Sequence, residues 1–451
     1  MKLKNIIGTL VLFLFILNGC EEVTDVNPRT AVPADQMVTD AKSAESVMNG
    51  VYSALQADAT TTVYGGYARM CDGVYADNAD HTGSYPDIAA LWSNDVISSN
   101  AFIDDFWNGH FLVIYRANKL IDNLGELTED QIDADLKNAY LAEARFLRAL
   151  IYYRLANYFG PVPWIEEPLK GDLSNKDHAR TPLSELQNNI ADDIQFAENN
   201  IMDMGAPFRA SMDAVMALKA KFNLWIEDYG TALSAAQHFE YSGTSPIGDL
   251  HDSYLGLWNE TVTSEDILKI RYSSKDNNNL AWFLNTAGRG EVLASASLIN
   301  AFEANDVRRN LIAADNSFLK WNDATGGADE PYIFRLGDMY LVLAEAYAQN
   351  GNYSEAETYV NYVRARAGLG PVALDGTNWV DIILQERRVE LYIEGHRWID
   401  IKRYGVTESI IGSKSSVNFG AIENKYLRWP IPQNEVDANE EINPEDQNTG
   451  Y

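Results

Sequence analysis

The sequence predicts a mostly α-helical fold, in which helix pairs stack into a curved scaffold beside an irregular, loop-rich subdomain with a few short strands. Three observations carry that expectation. Proline-free stretches rich in Ala, Leu, Glu, Arg and Tyr dominate the middle and C-terminal regions. Small and large apolar residues recur at repeat spacing, best between Leu343 and Val360. Between the helical regions lie stretches rich in Gly, Ser, Thr, Asn and Asp, too long to be simple connections.

The chain opens Met1-Lys2-Leu3-Lys4, and an apolar run from Ile6 stops at Leu17-Asn18-Gly19-Cys20. A basic start, a short apolar segment and a small residue before the break spell an export signal over residues 1–19. The run is shorter than the ~20 residues a membrane-spanning helix needs. Leu17-Asn18-Gly19-Cys20 resembles a bacterial lipobox, which implies that Cys20 is acylated and tethers the mature chain to a membrane. The alternative is an ordinary signal peptide with an incidental cysteine. Glu21, Glu22 and Asp25 resemble the acidic export tag of surface lipoproteins. Cys71 is the only other cysteine, so no disulfide framework is expected, and Cys71 reads as a small buried apolar residue.

Residues 57–100 form the first polar stretch. Trp107 leads into a helical run that reaches Leu124, and a helix pair follows over 138–159 and 183–200. A weaker repeat runs from Met212 to Glu240 through Ala217, Ala220, Trp225, Tyr229-Gly230 and Ala232. Two more polar stretches follow, 241–289 and 313–330, with a short strand expected inside the first of them over 266–272. Then Leu343-Ala344-Glu345-Ala346-Tyr347, Gly351-Asn352-Tyr353, Ala356 and Val360 sit where a tetratricopeptide repeat puts its contact residues. Ala344 and Ala356 let the two helices approach closely. The tail over 430–451 is polar and is expected as extended surface coil. Helical repeats are thus expected over about 101–240 and 331–404, with a loop-rich ligand face over about 57–100 and 241–330, all in one domain covering 20–451.

The formal net charge of −30 makes nucleic acids and sulfated or uronic polymers poor ligands, so a neutral substrate fits better. Ten Trp, twenty-four Tyr and sixteen Phe supply more aromatic surface than a core strictly needs. His81, His110, His178, His238, His251 and His396 show no metal-ligand spacing, and neither a phosphate loop nor a nucleophile elbow occurs. No metal, cofactor or catalytic residue is therefore expected.

Four stretches, in order, carry a resemblance. Arg145-Phe146-Leu147-Arg148 leads to Tyr158-Phe159-Gly160-Pro161-Val162-Pro163. Tyr332-Ile333-Phe334-Arg335-Leu336-Gly337-Asp338-Met339-Tyr340 opens the best repeat. Arg387-Arg388-Val389-Glu390-Leu391-Tyr392-Ile393-Glu394-Gly395-His396-Arg397-Trp398-Ile399-Asp400-Ile401-Lys402-Arg403 is the most specific. Trp429-Pro430-Ile431-Pro432 and a terminal Tyr451 close the chain. Together they resemble the SusD/RagB family of outer-membrane lipoproteins. The resemblance implies a lipid-anchored lid at the cell exterior, seated on a SusC-like TonB-dependent barrel, that captures glycan fragments for polysaccharide utilisation and performs no chemistry. In the third motif the charges recur at three- and four-residue spacing, so they can pair along a helix and reach neighbouring helices as an ion network.

A pyranose offers an apolar C–H face that suits a rigid, exposed aromatic ring. Seven tryptophans belong to helices or to apolar surroundings: Trp107, Trp164, Trp225, Trp258, Trp379, Trp398 and Trp429. Trp92, Trp282 and Trp321 remain, one in each polar stretch, as an arc of stacking platforms, with Tyr64, Tyr75 and Tyr85 as lesser candidates. Arg69, Asp72, Asp77, Asn78 and Asn94, with Asp80, are the expected polar partners to hydroxyls. From charge, a neutral β-glucan such as laminarin, or another glucan or fructan, is the preferred cargo. Two rivals stand beside this reading. A glycoside hydrolase or lyase would need a defined carboxylate pair, which 65 acidic residues hide. An interaction protein would instead hold a protein or peptide on the concave repeat surface, and within the resemblance a relative that captures peptides for import is the alternative.

Overall fold

The computed structural model describes residues 37–56, 63–65, 67–414 and 427–451. The export signal, Cys20 and the acidic triplet lie outside the described residues. The N-terminal half is built from α1 (Ala41–Gln56), α2 (Tyr67–Tyr75), β1 (Ala79–His81), α3 (Pro86–Trp92), α4 (Ala101–Glu126), α5 (Ala134–Phe159), α6 (Leu183–Asn200), α7 (Met212–Trp225) and α8 (Tyr229–Ala236). Polar side chains close the first turns. Asn100 accepts from Phe102 and Ile103 N–H, Asp133 from Asp135 and Leu136, Ser211 from Ala214, and Asp228 from Thr231. At the other end of α5, Gly160 turns the chain at φ 76°, and a Cβ there would strike the Arg428 side chain. Helices α1, α4, α5, α6, α7 and α8 pack in succession, so α5 is buried around nearly its whole circumference from Ala139 to Phe159.

The second half adds β2 (Asp266–Lys269), α9 (Leu280–Leu284), β3 (Val292–Ala294), β4 (Tyr332–Arg335), α10 (Leu336–Gln349), α11 (Tyr353–Arg366), α12 (Trp379–Glu390) and α13 (Arg397–Arg403). Helices α10 and α11 form the expected repeat, with Ala344 and Ala356 fully buried and Gly351 turning the chain at φ 81°. Helix α10 also packs on α8, so the repeats from both halves join. Two small antiparallel sheets link distant segments. β1 pairs β3 with Ala79 opposite Ala294 and His81 opposite Val292, and β2 pairs β4 with Asp266 opposite Arg335.

The third motif holds the fold together, but mainly between elements. The helix breaks after Glu390, with Ile393 at φ 56° and Gly395 at φ 84°, and only Asp400 and Arg403 pair within one turn. Glu390 instead meets Arg335 and Arg366 at 2.6 Å and Arg308 at 3.1 Å. Glu394 meets Lys320 and Arg335, while Arg387 bridges Asp338 and Asp400. All of these groups are buried. The guanidinium groups outweigh the burial penalty and hold the Glu390 carboxyl far below the usual carboxylate range.

Three expectations are corrected. Residues 67–100 are not an open polar loop: they form α2, β1 and α3, with Val74, Tyr75, Ile88 and Leu91 fully buried. The strand expected over 266–272 ends at Lys269. The tail is not loose coil, because Trp429, Ile431 and Ile442 are buried, and Gln433–Ala438 is a short helix. Cys71 is buried and free, as expected, and burial raises its thiol pKa far above the ordinary value.

Candidate functional site

Among the described residues, Trp282 is the exposed tryptophan, at 45% of its surface. It stands on α9, whose other side chains, Leu280, Ala281, Phe283 and Leu284, are buried and fix the helix in place. The following turn clamps its backbone. Arg289 N–H donates to the Trp282 carbonyl at 2.6 Å, and a Cβ on Gly288 would lie 2.5 Å from that same oxygen. The Arg289 guanidinium then lies 4.2 Å over the ring of Tyr85, itself 36% exposed, and the Tyr85 ring stands 6.0 Å from that of Phe283. Trp282 is thus linked to the stacked Tyr85–Arg289 pair through its backbone carbonyl and through Phe283, the next residue, and this linked segment is the platform.

Glu291 ties the platform together from beneath. Its fully buried carboxylate accepts from the Ser84 and Tyr85 N–H groups at 2.7 and 2.6 Å, from His81 Nε2 at 3.0 Å and from Arg289 Nε at 2.6 Å. Burial opposes its charge, but the Tyr85 N–H, Arg289, His81 and the Ser84 N–H outweigh it and hold the carboxyl below its ordinary range. A Cβ on Gly83 would come within 2.0 Å of this carboxylate. Only glycine therefore lets the 81–85 turn close over Glu291. At the far end of α3 from Tyr85, about 10 Å along the axis, Trp92 is half-buried and donates its Nε1–H to Asp80 at 3.0 Å.

The structure separates the other expected ligand residues from this platform. Trp321 is 1% exposed and packs edge-on against Trp258 at 5.7 Å, so it belongs to a different hollow and not to an arc with Trp282. The polar group near the chain start is structural. Arg69 is buried and donates to the carbonyls of Tyr64, Glu394 and Tyr332. Asp72 accepts from Tyr158 and from the Arg397 and Trp398 N–H groups, which secures the start of α13. Asp77 pairs with Arg397 and Arg388, Asn78 accepts from Arg388, and Asn94 bridges the Tyr75 carbonyl and Lys414. All five are less than a tenth exposed, so their polar atoms serve the fold. Tyr64 and Tyr75 are buried too. Arg289 and Glu291 were missed, because neither sits beside a tryptophan in sequence. The signal that could have found them is the Gly288-Arg289-Gly290 turn that begins six residues after Trp282.

Another hollow, of about 640 Å³, lies between Tyr52, Phe208 and Arg271 and adjoins Gln56, the last residue described before 63–65. Among the described residues no cluster of His, Cys, Asp and Glu could hold a metal ion, and no helix is long and apolar enough to cross a membrane.

Comparison with known proteins bears on this arrangement. Residues 316–451 match a family described as the SusD family, and residues 26–224 match one described as starch-binding, associating with the outer membrane. SusD-like protein P25 of Formosa agariphila is 24% identical over 541 positions, covering all of both chains. A SusD-like protein of Bacteroides ovatus is 24% identical, over 65% of this chain and 64% of its own. Among solved structures, a SusD superfamily protein from Bacteroides vulgatus superposes with a TM-score of 0.77 at 18% identity, covering 89% of this chain and 97% of that one. A laminarin-binding SusD-like protein superposes with the same TM-score at 22% identity, covering 92% of this chain and 100% of that one.

Proposed function

We propose that this chain, which belongs to the SusD/RagB family of glycan-binding proteins, captures a neutral glycan at the cell surface on the Trp282 platform and hands it as a lid to a SusC-like TonB-dependent transporter. The observation that carries this reading is a rigid, half-exposed tryptophan whose backbone is bonded to the arginine that stacks on a part-exposed tyrosine ring. The rings offer flat faces to pyranose C–H groups, and Arg289 offers N–H donors to hydroxyls. The clamp on the Trp282 backbone and the Glu291 tie hold that geometry before ligand arrives, which lowers the ordering cost of binding. Trp92 extends the same segment as a second, partly buried ring. Acylated Cys20 supplies the outer-membrane anchor in this reading, with the chain facing outward. The chain itself performs no bond cleavage.

A β-glucan such as laminarin is the preferred cargo. The net charge of −30 disfavours acidic polymers, and a laminarin-binding protein shares the fold. The test is quenching of tryptophan fluorescence with calorimetry alongside, against laminarin, other neutral glucans and fructans, a polyuronate and a mixed peptide digest. Saturable binding of one neutral glycan without cleavage, weakened at least about tenfold by Trp282→Ala, or ~1.4 kcal/mol, is the expected result. A response to the peptide digest alone would replace glycan capture with peptide capture. Release of reducing ends would make the chain an enzyme.

A further inference from the structure

A second hollow lies between β2, the turn after Leu257 and residues 320–332. It encloses about 230 Å³, less than the ~300–1,000 Å³ of pockets that take drug-sized molecules. One sugar ring is the size of guest it suits. Its apolar corner is aromatic: Trp258 meets Trp321 at 5.7 Å and Tyr332 at 5.6 Å, both edge-on. Its rim is polar and carries Asn259, Glu260, Lys269, Asp329 and Glu330. Lys269 is itself buried, and its Nζ donates to the Thr261 carbonyl at 2.9 Å and stands 3.6 Å from Glu330.

The charges in the hollow select its guest. Burial raises the carboxyl of Asp329 despite donation from the Asp323 and Asn322 N–H groups, and burial raises Glu330 against the pull of Lys269. Both carboxylates gain from further hydroxyl donors. A cation meets two resident ones, because Lys320 Nζ lies 4.8 Å over one face of Trp258 and Lys269 Nζ 5.0 Å over Tyr332. An anion meets Glu260, Asp329 and Glu330. A neutral polyol, which both donates and accepts, matches the wall. The hollow is also tied to the platform segment: Asn278, two residues before α9, donates its N–H to the Gly327 carbonyl and its side-chain amide to the Asp329 carbonyl.

We propose that this hollow is a second sugar subsite, separate from the Trp282 platform, which takes a single neutral pyranose beside the part-exposed Trp258, held in place by the buried rings of Trp321 and Tyr332, with its hydroxyls on Asp329, Glu330 and Asn259. The proposal rests on the glycan-capture reading of the chain, yet it can fail independently of it. The experiment is fluorine NMR of the full chain labelled with 5-fluorotryptophan, titrated with the methyl glycosides of glucose, galactose and mannose. Trp258→Phe and Trp321→Phe assign the two resonances, and the titration itself is read on the unsubstituted chain and on Trp282→Ala. The expected result is a saturable shift of the Trp258 and Trp321 resonances with at least one glycoside, unchanged in Trp282→Ala and weakened severalfold by Glu330→Gln. Resonances that ignore all the glycosides, or that move only when Trp282 is present, overturn the subsite. A Trp282 resonance that ignores every polysaccharide overturns the platform instead.

Discussion

Single side chains in this molecule divide into those that hold it together and those that face outward, and burial decides which. Glu390 is shared by three guanidinium groups, so Glu390→Ala leaves Arg308, Arg335 and Arg366 buried without their common partner. A loss of about 3–5 kcal/mol is expected, measured by urea denaturation; a loss below ~1 kcal/mol would mean that the arginines find other partners. Lys402 is the opposite case. Burial, and then the neighbouring Arg428, lower its pKa from 10.5 to about 7. Between those values the unfolded chain binds the extra proton, so folding stability rises with pH from about 7 to 10.5. Lys402→Met should flatten that rise by up to ~1.4 kcal/mol per pH unit, read from denaturation curves compared across the window. Sequence narrowed the ten tryptophans to Trp92, Trp282 and Trp321, because the neighbours of the other seven set them aside, and of these three Trp282 is the exposed one. Sequence could not demote Trp321, whose burial depends on Trp258, 63 residues earlier (321 − 258), nor Asp72 and Asp77, whose partners Arg397 and Arg388 lie over 300 residues away.

Among the elements, the repeat helices were the most legible part, since close approach needs small residues at fixed positions and Ala344 and Ala356 supply them. Ala356→Leu should therefore destabilise the chain by about 1–3 kcal/mol through overpacking of α10 on α11, seen as a lowered denaturation midpoint. The 67–100 segment was misread as open loop because its polar residues suggested solvent. In the fold those residues are the partners of α12 and α13, so α2, β1 and α3 are covered. The turn between β1 and α3 can be tested directly. Gly83→Ala forces a Cβ onto the Glu291 carboxylate and should displace Tyr85. Glycan affinity is expected to fall severalfold while the thermal midpoint changes little; equal affinity in that variant would show that Tyr85 is no part of the platform.

Across the whole molecule, net charge and topology act together. At −30, self-repulsion opposes the compact state. Screening shortens from ~30 Å at 0.01 M to ~8 Å at 0.15 M ionic strength, so the melting temperature should rise over that range. Affinity for a neutral glycan should stay within about twofold, and a marked salt dependence of laminarin binding would point to an ionic cargo. The stacking of helix pairs was readable from sequence because it repeats. The two small sheets were not, because each joins strands that nothing local marks as partners.

The link between His81 and Glu291 spans 210 positions of the chain. Contacts of such sequence separation form after local helices, since a long stretch of chain must close before they can reward it. The turn that holds Tyr85 over Glu291 is therefore among the last features the folding chain acquires. A chain ending short of Glu291 lacks the carboxylate that accepts from the Ser84 and Tyr85 N–H groups. If the proposed platform binds glycan, competence to bind becomes a report on completed folding.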